Sequence, residues 1–449
     1  MDPLSALRQG SLDLSLADRA IGLLGIAVML AIAYAMSYDR KRIPWRLVII
    51  GLGLQALFGV IVLKTAAGRY FFEKVGALVG GLLNFSLTGA RFVFGNLVQA
   101  NQPVGWPTAT GTLDTSYGLV SNAGAFFAFA VLPTIIFFSA LMSVLYHLGI
   151  MQMVVKALAF VMQRSLGTSG AETLSASGNI FLGQTEAPLL IKPFIKEATP
   201  SELLTIMVGG FATVAGGVMA AYVLMLQDAF PGIAGHLLAA SVMNAPAGLL
   251  LSKIIRPEDR VPVTRDSLQI TTEKPDANVI EAAANGAATG VHLALNVGGM
   301  LMAFIALIAI LNFGVAWLCG LLGFEGVTLQ AILGNLLRPL AWVMGVPWAD
   351  TGYVGGLIGI KTSLNEFVAY AQFAGELKAG TVALHPRSAV ILAYALLGFA
   401  NLSSIGIQIG GIGGLAPERR SEIARFGLRA MIAGNLAAFM SASLAGMLL

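Results

Sequence analysis

Hydrophobic residues fall in long unbroken runs along this chain, and polar residues collect between the runs rather than alternating within them. Runs of membrane-crossing length lie at about 20–37, 46–64, 125–148, 203–226, 233–252, 290–318, 388–408 and 428–448. About 20 apolar residues span the hydrocarbon layer as a helix, so the pattern predicts eight crossings. A transmembrane barrel would instead alternate over strands of about ten residues. The expected fold is therefore an all-α polytopic membrane protein. Two further stretches, 171–197 and 328–380, are apolar but too polar or too broken by Gly and Pro for simple spans. Both are expected to be re-entrant helical hairpins. The region 70–100 is amphipathic and is expected to lie along the interface. Residues 256–285 form the only long polar stretch, expected as a loop with a short surface helix.

Basic residues orient these elements. They cluster at 40–46 (Arg40, Lys41, Arg42, Arg46), at 253–265 (Lys253, Arg256, Arg260, Arg265) and at 419–429 (Arg419, Arg420, Arg425, Arg429). Placing all three inside satisfies the positive-inside rule and puts both termini outside. Lys192 and Lys196 close the first broken segment, which should then enter from the cytoplasm. The second, flanked by Pro347-Trp348 and Ala379-Gly380, should enter from the opposite face. Hairpins entering from both sides are what an inverted repeat produces. The expected organisation is 1–110 as N-terminal membrane helices with the interfacial helix, 111–255 as the first repeat half with hairpin 171–197, 256–289 as a cytoplasmic loop and surface helix, and 290–449 as the second half with hairpin 328–380.

Composition agrees. The 449 residues are 57% hydrophobic and 11% charged, with mean hydropathy +0.80, against about 25% charge in soluble domains. Fifty-three glycines and 17 prolines suit close helix packing and interrupted helices. The net charge of +4 is small and confined to loops, which argues against a nucleic-acid partner. Cys319 is the single cysteine, excluding an intramolecular disulfide and a cysteine-rich zinc site. Met1 to Arg19 lacks a basic n-region and a cleavage site, so the first span is expected to be retained.

The chemistry concentrates in two carboxylates. Glu186 lies in Ser177-Gly-Asn-Ile-Phe-Leu-Gly-Gln-Thr-Glu-Ala-Pro188, and Glu366 in Thr362-Ser-Leu-Asn-Glu-Phe-Val-Ala-Tyr370. A carboxylate at the bilayer centre costs about 2.5–3.5 kcal/mol on insertion scales, which makes it a functional candidate. Each is followed by a Gly-rich stretch with hydroxyl residues, Gly209-Gly-Phe-Ala-Thr-Val-Ala-Gly-Gly217 and Gly398-Phe-Ala-Asn-Leu-Ser-Ser-Ile-Gly406. Matching interruptions in two halves point to a transporter's binding site. Pro188 favours a helix start or break, leaving Asn179 to Gly183 as a hairpin tip whose freed carbonyls suit a dehydrated cation. Gln184, Thr185 and Glu186 offer donors and acceptors together, which suits an uncharged ligand rich in hydrogen bonds; the competing reading is polar glue between helices. Glu366 can accept two hydroxyl hydrogen bonds, as a sugar diol would offer; the competing reading is an ion pair with Lys361, a poor helical spacing. Phe399 with Asn401, Ser403 and Ser404 fits a planar ring bearing a sugar, although Phe399 taken alone reads more readily as core packing. Thr213 and Val214 could give oxygens to sodium.

Gly183-Gln-Thr-Glu-Ala-Pro188, Asn365-Glu-Phe-Val-Ala-Tyr370 and Gly398-Phe-Ala-Asn-Leu-Ser-Ser404 resemble the signature segments of the concentrative nucleoside transporter family, in order, from about residue 20 to the C-terminus. The resemblance implies a homotrimer in the cell inner membrane, in contact with its lipids. Each protomer would have eight membrane helices, two oppositely entering hairpins and interfacial helices. A scaffold, including the N-terminal helices, would hold the trimer while a transport part moves like an elevator. By resemblance, Gln184, Thr185 and Glu186 would hold the nucleobase. Glu366, Asn401 and Ser404 would hold the ribose hydroxyls, and Phe399 and Leu293 would contact the base. Sodium would be co-transported, held by the side chains of Asn179 and Thr213 and the carbonyls of Leu182 and Val214.

The expected function is sodium-coupled uptake of nucleosides. The nearest alternative is proton coupling on the same fold through Glu186 or Glu366. A membrane-embedded enzyme would need a base or metal cluster, whereas His147, His236, His292 and His385 are scattered. The chain is therefore not expected to be an enzyme. No Gly-x-x-x-x-Gly-Lys-Ser/Thr motif is present, which argues against direct ATP use. A passive channel would never accumulate its substrate.

Overall fold

A computed structural model describes residues 16–98, four two-residue strands between 102 and 121, and residues 127–265, 276–321 and 323–449. Residues 1–15, the boundary expected at 110–111, the start of the span expected at 125, and part of the 256–285 loop lie outside the described residues. The fold is helical. The strands pair two by two, residues 102–103 with 120–121 and 106–107 with 113–114. The first helices are α1 (Leu16–Ala35), α2 (Trp45–Lys64) and α3 (Ala66–Phe94). After the short α4 (Phe127–Ala130) come α5 (Leu132–His147) and α6 (Ile150–Leu166). Among the described residues, seven helical runs are long and apolar enough to cross a membrane.

Several expectations are adjusted. The run Lys74–Val98, within the region expected at the interface, is by length and composition one of those seven. The span expected at 388–408 is two helices, α16 (Pro386–Leu396) and α17 (Leu402–Leu415). Glycine at 398 and the Asn401 cap interrupt what hydropathy alone reads as continuous. The span expected at 290–318 is part of α12 (Val279–Leu321), 43 residues long. The Asn278 side chain accepts from the backbone N–H groups of Ile280 and Glu281 and starts that helix early. At 1.5 Å per residue α12 is about 65 Å long, roughly twice the hydrocarbon thickness. It lies on α5 through small residues: a methyl on Gly290 would stand 2.7 Å from the Ile136 Cα. Such close approach is what small residues permit between membrane helices.

Between these lie the elements that carry the motifs. α7 (Gly170–Gly178) begins with a capping box of Ser169 and Glu172, and α9 (Pro200–Ala212) with a second of Thr199 and Glu202. Each box satisfies two backbone N–H groups that a helix start otherwise leaves bare. A turn at 179–186, a 3₁₀ turn at Ala187–Ile191 and α8 (Lys192–Ile195) connect them. The segment 328–380 resolves into three helices, α13 (Leu329–Val343), α14 (Thr351–Ser363) and α15 (Glu366–Ala379). The pair joined by a tight break is α14–α15, while α13 packs against α14. A methyl on Gly334 would meet the Gly352 carbonyl oxygen at 2.3 Å. α10 (Gly216–Leu226), α11 (Ile233–Ile255) and α18 (Arg420–Leu448) complete the core. α9, α10, α11, α16 and α18 contribute much of the buried surface.

Two interrupted helices meet at their interruptions. Thr213 ends α9 in extended conformation, and Gly398 separates α16 from α17 at φ +112°. A methyl on Gly398 would stand 2.7 Å from the Phe211 carbonyl oxygen, and the Phe399 N–H donates to the Thr213 carbonyl at 3.2 Å. Strain at that φ plus the contact corresponds to about 2–5 kcal/mol. Gly398→Ala is therefore expected to lower the thermal midpoint in detergent by several degrees or to prevent folding. A wild-type midpoint would contradict this crossing.

Candidate functional site

The crossing of the two broken helices gathers four chain breaks. The α9–α10 break runs through Thr213, Val214 and Ala215, and the α16–α17 break through Leu397 to Asn401. The turn at 179–186 reaches the first of these, since the Gly216 N–H donates to the Phe181 carbonyl at 2.8 Å. The α14–α15 break delivers Glu366, with Asn365 capping α15 by accepting from the Val368 N–H at 2.8 Å. Asn401 caps α17 in the same way, accepting from the Ser404 N–H at 2.9 Å. Two asparagines thus stand at matching N-caps, each in a Gly/Ser-rich or polar motif. Such ends leave backbone groups free of the helical ladder.

Glu366 is buried and held from two sides. The Tyr222 hydroxyl donates to its Oε1 at 3.0 Å, and Asn401 Nδ2 donates to its Oε2 at 2.8 Å. The Tyr222 ring stacks on Tyr370 at 4.4 Å and meets Phe367 edge-on at 5.2 Å. The carboxylate is therefore positioned by neighbours whose own rotamers are fixed. Lys361, the competing partner, turns elsewhere. Its Nζ donates to Asn435 Oδ1 at 2.5 Å and to the Ala395 carbonyl at 3.4 Å.

A second polar group joins the hairpin turn to α17. Gln184 Nε2 donates to Ser404 Oγ at 3.2 Å, and Gln408 Nε2 donates to Gln184 Oε1 at 3.1 Å. Gln408 also donates to the Met207 carbonyl at 3.0 Å. Glu186 is half-buried and folds back on its own turn, accepting from the Gly183 N–H at 3.0 Å. Thr185 is half-buried with its methyl towards α17: a methyl on Gly411 would stand 2.6 Å from Thr185 Cγ2.

Asn179 is the most unusual polar residue of the turn. It is fully buried; its Nδ2 donates to the Ser175 carbonyl at 2.9 Å, and its Oδ1 has no hydrogen-bond partner among the described residues. Buried acceptors are normally paired, so an orphan calls for an explanation. Gly209 brings Thr213 to the same place. Thr213 Oγ1 donates to the Gly209 carbonyl at 2.9 Å, and a methyl on Gly209 would stand 3.1 Å from Asn179 Nδ2. Leu182, in the turn that follows Asn179, and Val214, next to Thr213 in the α9–α10 break, are outside regular helix and buried. Oxygen donors of this kind suit a hard monovalent cation.

The structure therefore brings Glu366 together with Asn401, joins Gln184 to Ser404, and sets Asn179 beside Thr213. Phe399 and Leu293 are half-buried against the core. Phe399 sits in the α16–α17 break, whereas Leu293 is on α12. Sequence reasoning passed over Tyr222 and Gln408. Each is a lone polar group within an apolar helix, a signal that was present. What it bonds depends on elements 144 and 224 positions away.

Comparison with known proteins gives concordant matches. Residues 24–97 match the model described as "Na+ dependent nucleoside transporter N-terminus", residues 236–446 the corresponding C-terminus, and residues 128–229 the model described as "Nucleoside recognition". An uncharacterized transporter of Haemophilus influenzae is 45% identical, covering 95% of this chain and 96% of that one. The nucleoside permease NupC of Helicobacter pylori is 40% identical, covering 94% and 96%. The sodium/nucleoside cotransporter 1 of Rattus norvegicus is 40% identical over 96% of this chain and 64% of its own. Among solved structures, CNTnw in an inward-facing substrate-bound state aligns at TM-score 0.85 and 42% identity, covering 96% of this chain and 97% of its own. A CNTnw variant in an outward-facing state aligns at 0.87 and 42%, covering 97% and 98%.

Proposed function

The chain belongs to the concentrative nucleoside transporter family, a family of multi-pass membrane transporters rather than enzymes, and from that premise we propose that it is a sodium-driven nucleoside symporter. The observation that carries the ion assignment is Asn179 Oδ1, a buried acceptor without a hydrogen bond beside the Thr213 hydroxyl. A sodium ion held there, with the Leu182 and Val214 carbonyls, would satisfy it. The names of the mammalian relatives, which are sodium/nucleoside cotransporters, support the same reading. The ion would order the hairpin turn that carries Gln184, Thr185 and Glu186, so nucleoside and sodium should each tighten the other.

In this reading the nucleoside replaces hydrogen bonds that the site now makes to itself. The ribose hydroxyls would take the acceptor capacity of Glu366 with help from Asn401 and Ser404. The base would lie near Gln184, Thr185 and Glu186, with Phe399 against its face and Leu293 approaching from α12. Transport would proceed by alternating access of an elevator type. CNTnw structures in inward-facing, outward-facing and intermediate states support this for the shared fold. The N-terminal helices with α12 would form the scaffold, and α7–α11 with α14–α18 the moving part. The exposed apolar face of α12, with Leu295, Met302, Phe313 and Trp317, is suited to lipid and to neighbouring subunits of a trimer.

The test is uptake of radiolabelled uridine and adenosine into proteoliposomes under an inward sodium gradient, with choline and an inward proton gradient as control. Accumulation above the external concentration only with sodium is expected. Accumulation only with the proton gradient would overturn the ion assignment and transfer coupling to Glu186 or Glu366. Equilibration without accumulation would overturn symport.

A further inference from the structure

A cavity of about 540 Å³ opens at the end of the molecule where the basic clusters converge. Its volume lies within the range of about 300–1,000 Å³ typical of ligand sites. The convergence is built around Tyr38. Its N–H donates to the Ile255 carbonyl at 2.8 Å, and its ring lies between the guanidinium groups of Arg256 at 5.3 Å and Arg429 at 4.4 Å. Clusters 40–46, 253–265 and 419–429 therefore share one face, which the positive-inside rule assigns to the cytoplasm.

Five arginines line the cavity: Arg42, Arg46, Arg164, Arg260 and Arg265. The side chains of Arg46, Arg164, Arg260 and Arg265 have no hydrogen-bond or ion-pair partner among the described residues, and Arg42 has only the exposed Asp39, at 3.4 Å. Two carboxylates also line the cavity, and Lys253 holds both. It stands 2.6 Å from Glu172 and 3.5 Å from Glu258. Glu172 is occupied further by the Ser169 N–H at 2.8 Å, and Glu258 by the Thr199 hydroxyl at 2.8 Å. Lys253 offsets one of the two carboxylates and both are already bonded, so with five arginines the lining still carries six cationic side chains against two anionic ones. The N-terminus of α2 adds to this: Pro44 gives no side-chain cap, and Arg46 and Leu47 lie in the uncapped first turn. A 20-residue helix presents free N–H groups and a positive dipole end there.

The rest of the lining is apolar. Leu47 and Ile50 of α2 reach the cavity, and Trp45 and Ile49 are exposed on the same helix. The cavity is polar towards the arginines and continuous with a lipid-facing helix surface. We propose that it binds the phosphate headgroup of an anionic phospholipid from the cytoplasmic leaflet, with the acyl chains lying along α2. Guanidinium groups recognise phosphate oxygens bidentately, and basic pockets between membrane helices take such headgroups. A free phosphate ion would satisfy the arginines but leave the apolar wall without a purpose. The site is separate from the nucleoside and sodium residues and does not depend on their assignment.

The experiment is native mass spectrometry of the purified full chain titrated with phosphatidylglycerol and with phosphatidylcholine of identical acyl chains. Phosphatidylglycerol is expected to bind at least tenfold more tightly. Arg46→Gln, Arg164→Gln and Arg260→Gln are each expected to weaken it about five-fold, the equivalent of roughly 1 kcal/mol per cation near the surface. Equal binding of the two lipids, or unchanged binding in the triple variant, would overturn the proposal. Inorganic phosphate that displaces the lipid and by itself raises the thermal midpoint would reassign the site to the free ion. Brominated phosphatidylglycerol should also quench the fluorescence lost in Trp45→Phe more than brominated phosphatidylcholine does. This readout leaves the arginines intact, so it stands even where the triple variant does not fold.

Discussion

Glu366→Gln should reduce nucleoside uptake by about a hundred-fold or more per folded transporter while leaving the fold intact. The two halves of that expectation come from different parts of the same contact. Glu366 Oε1 accepts from the Tyr222 hydroxyl and Oε2 from Asn401 Nδ2. The Asn401 amide cannot turn round, because its Oδ1 is committed to the Ser404 N–H and the Ser403 hydroxyl. Glutamine can still fit. Its oxygen takes the Asn401 donor, and its NH₂ faces the Tyr222 hydroxyl, which rotates to accept. The Tyr222 O–H loses its acceptor in this arrangement, a cost of about 1–3 kcal/mol, so the fold should survive with a lowered midpoint. What disappears is the charge. Hydrogen bonds to a charged group contribute about 1.5–3 kcal/mol each, and two of them lost to a ribose diol correspond to about two to four decades at about 1.4 kcal/mol per tenfold. Radiolabelled uptake normalised to folded protein, with the thermal midpoint measured in parallel, checks both halves. Near-normal uptake would remove Glu366 from the ribose site, and a collapsed midpoint would make its role structural.

Asn179→Ala should raise the sodium concentration for half-maximal uptake by about tenfold or more, with nucleoside affinity largely recovered at saturating sodium. Asn179 Oδ1 is available to an ion because no group among the described residues bonds to it. Removing one oxygen ligand from a small cation site weakens the ion directly and the nucleoside only through linkage. The same coupling factor must appear whichever ligand is titrated. The substitution also removes the bond from Nδ2 to the Ser175 carbonyl, so a modest loss of stability is expected. Sodium titrations of uptake at several nucleoside concentrations separate the two effects. An unchanged sodium dependence with weakened nucleoside affinity would place Asn179 in the substrate site instead.

The candidate chemistry was largely legible because membrane sequence makes polar residues conspicuous. Glu366, Asn401 and Gln184 stand out against apolar neighbours, and the energetic penalty of placing them there is the reason to read them. Their pairing was not legible. Tyr222 looks like one more aromatic in α10 until α15 is packed beside it. Gln408 looks like isolated helix glue until the hairpin turn supplies Gln184. Lys361, five positions from Glu366, was the competing counter-ion, at a spacing poor for a helix-face pair. The structure sends it to Asn435 on α18, 74 positions away, because a residue five positions along a broken helix pair faces a different neighbour.

The sequence by itself determined that this is a helical membrane protein, that Gly- and Pro-rich motifs interrupt its apolar pattern, which end carries the basic clusters, and the family. Each of these follows from local composition or from short contiguous motifs: apolar run length, Gly and Pro interruptions, arginine position, and three signature segments. Only the tertiary structure decided where the breaks lie and what they face. Hydropathy averages over about 19 residues and so read 388–408 as one span. The interruption is a single backbone conformation at Gly398, which only glycine tolerates, since the Phe211 carbonyl occupies the space a side chain would need. Likewise the three segments 171–197, 203–226 and 388–408 were legible as motifs, but not as a site. That required two broken helices to cross at their unwound ends, where backbone groups freed from the helical ladder and side chains far apart in sequence come within hydrogen-bonding distance.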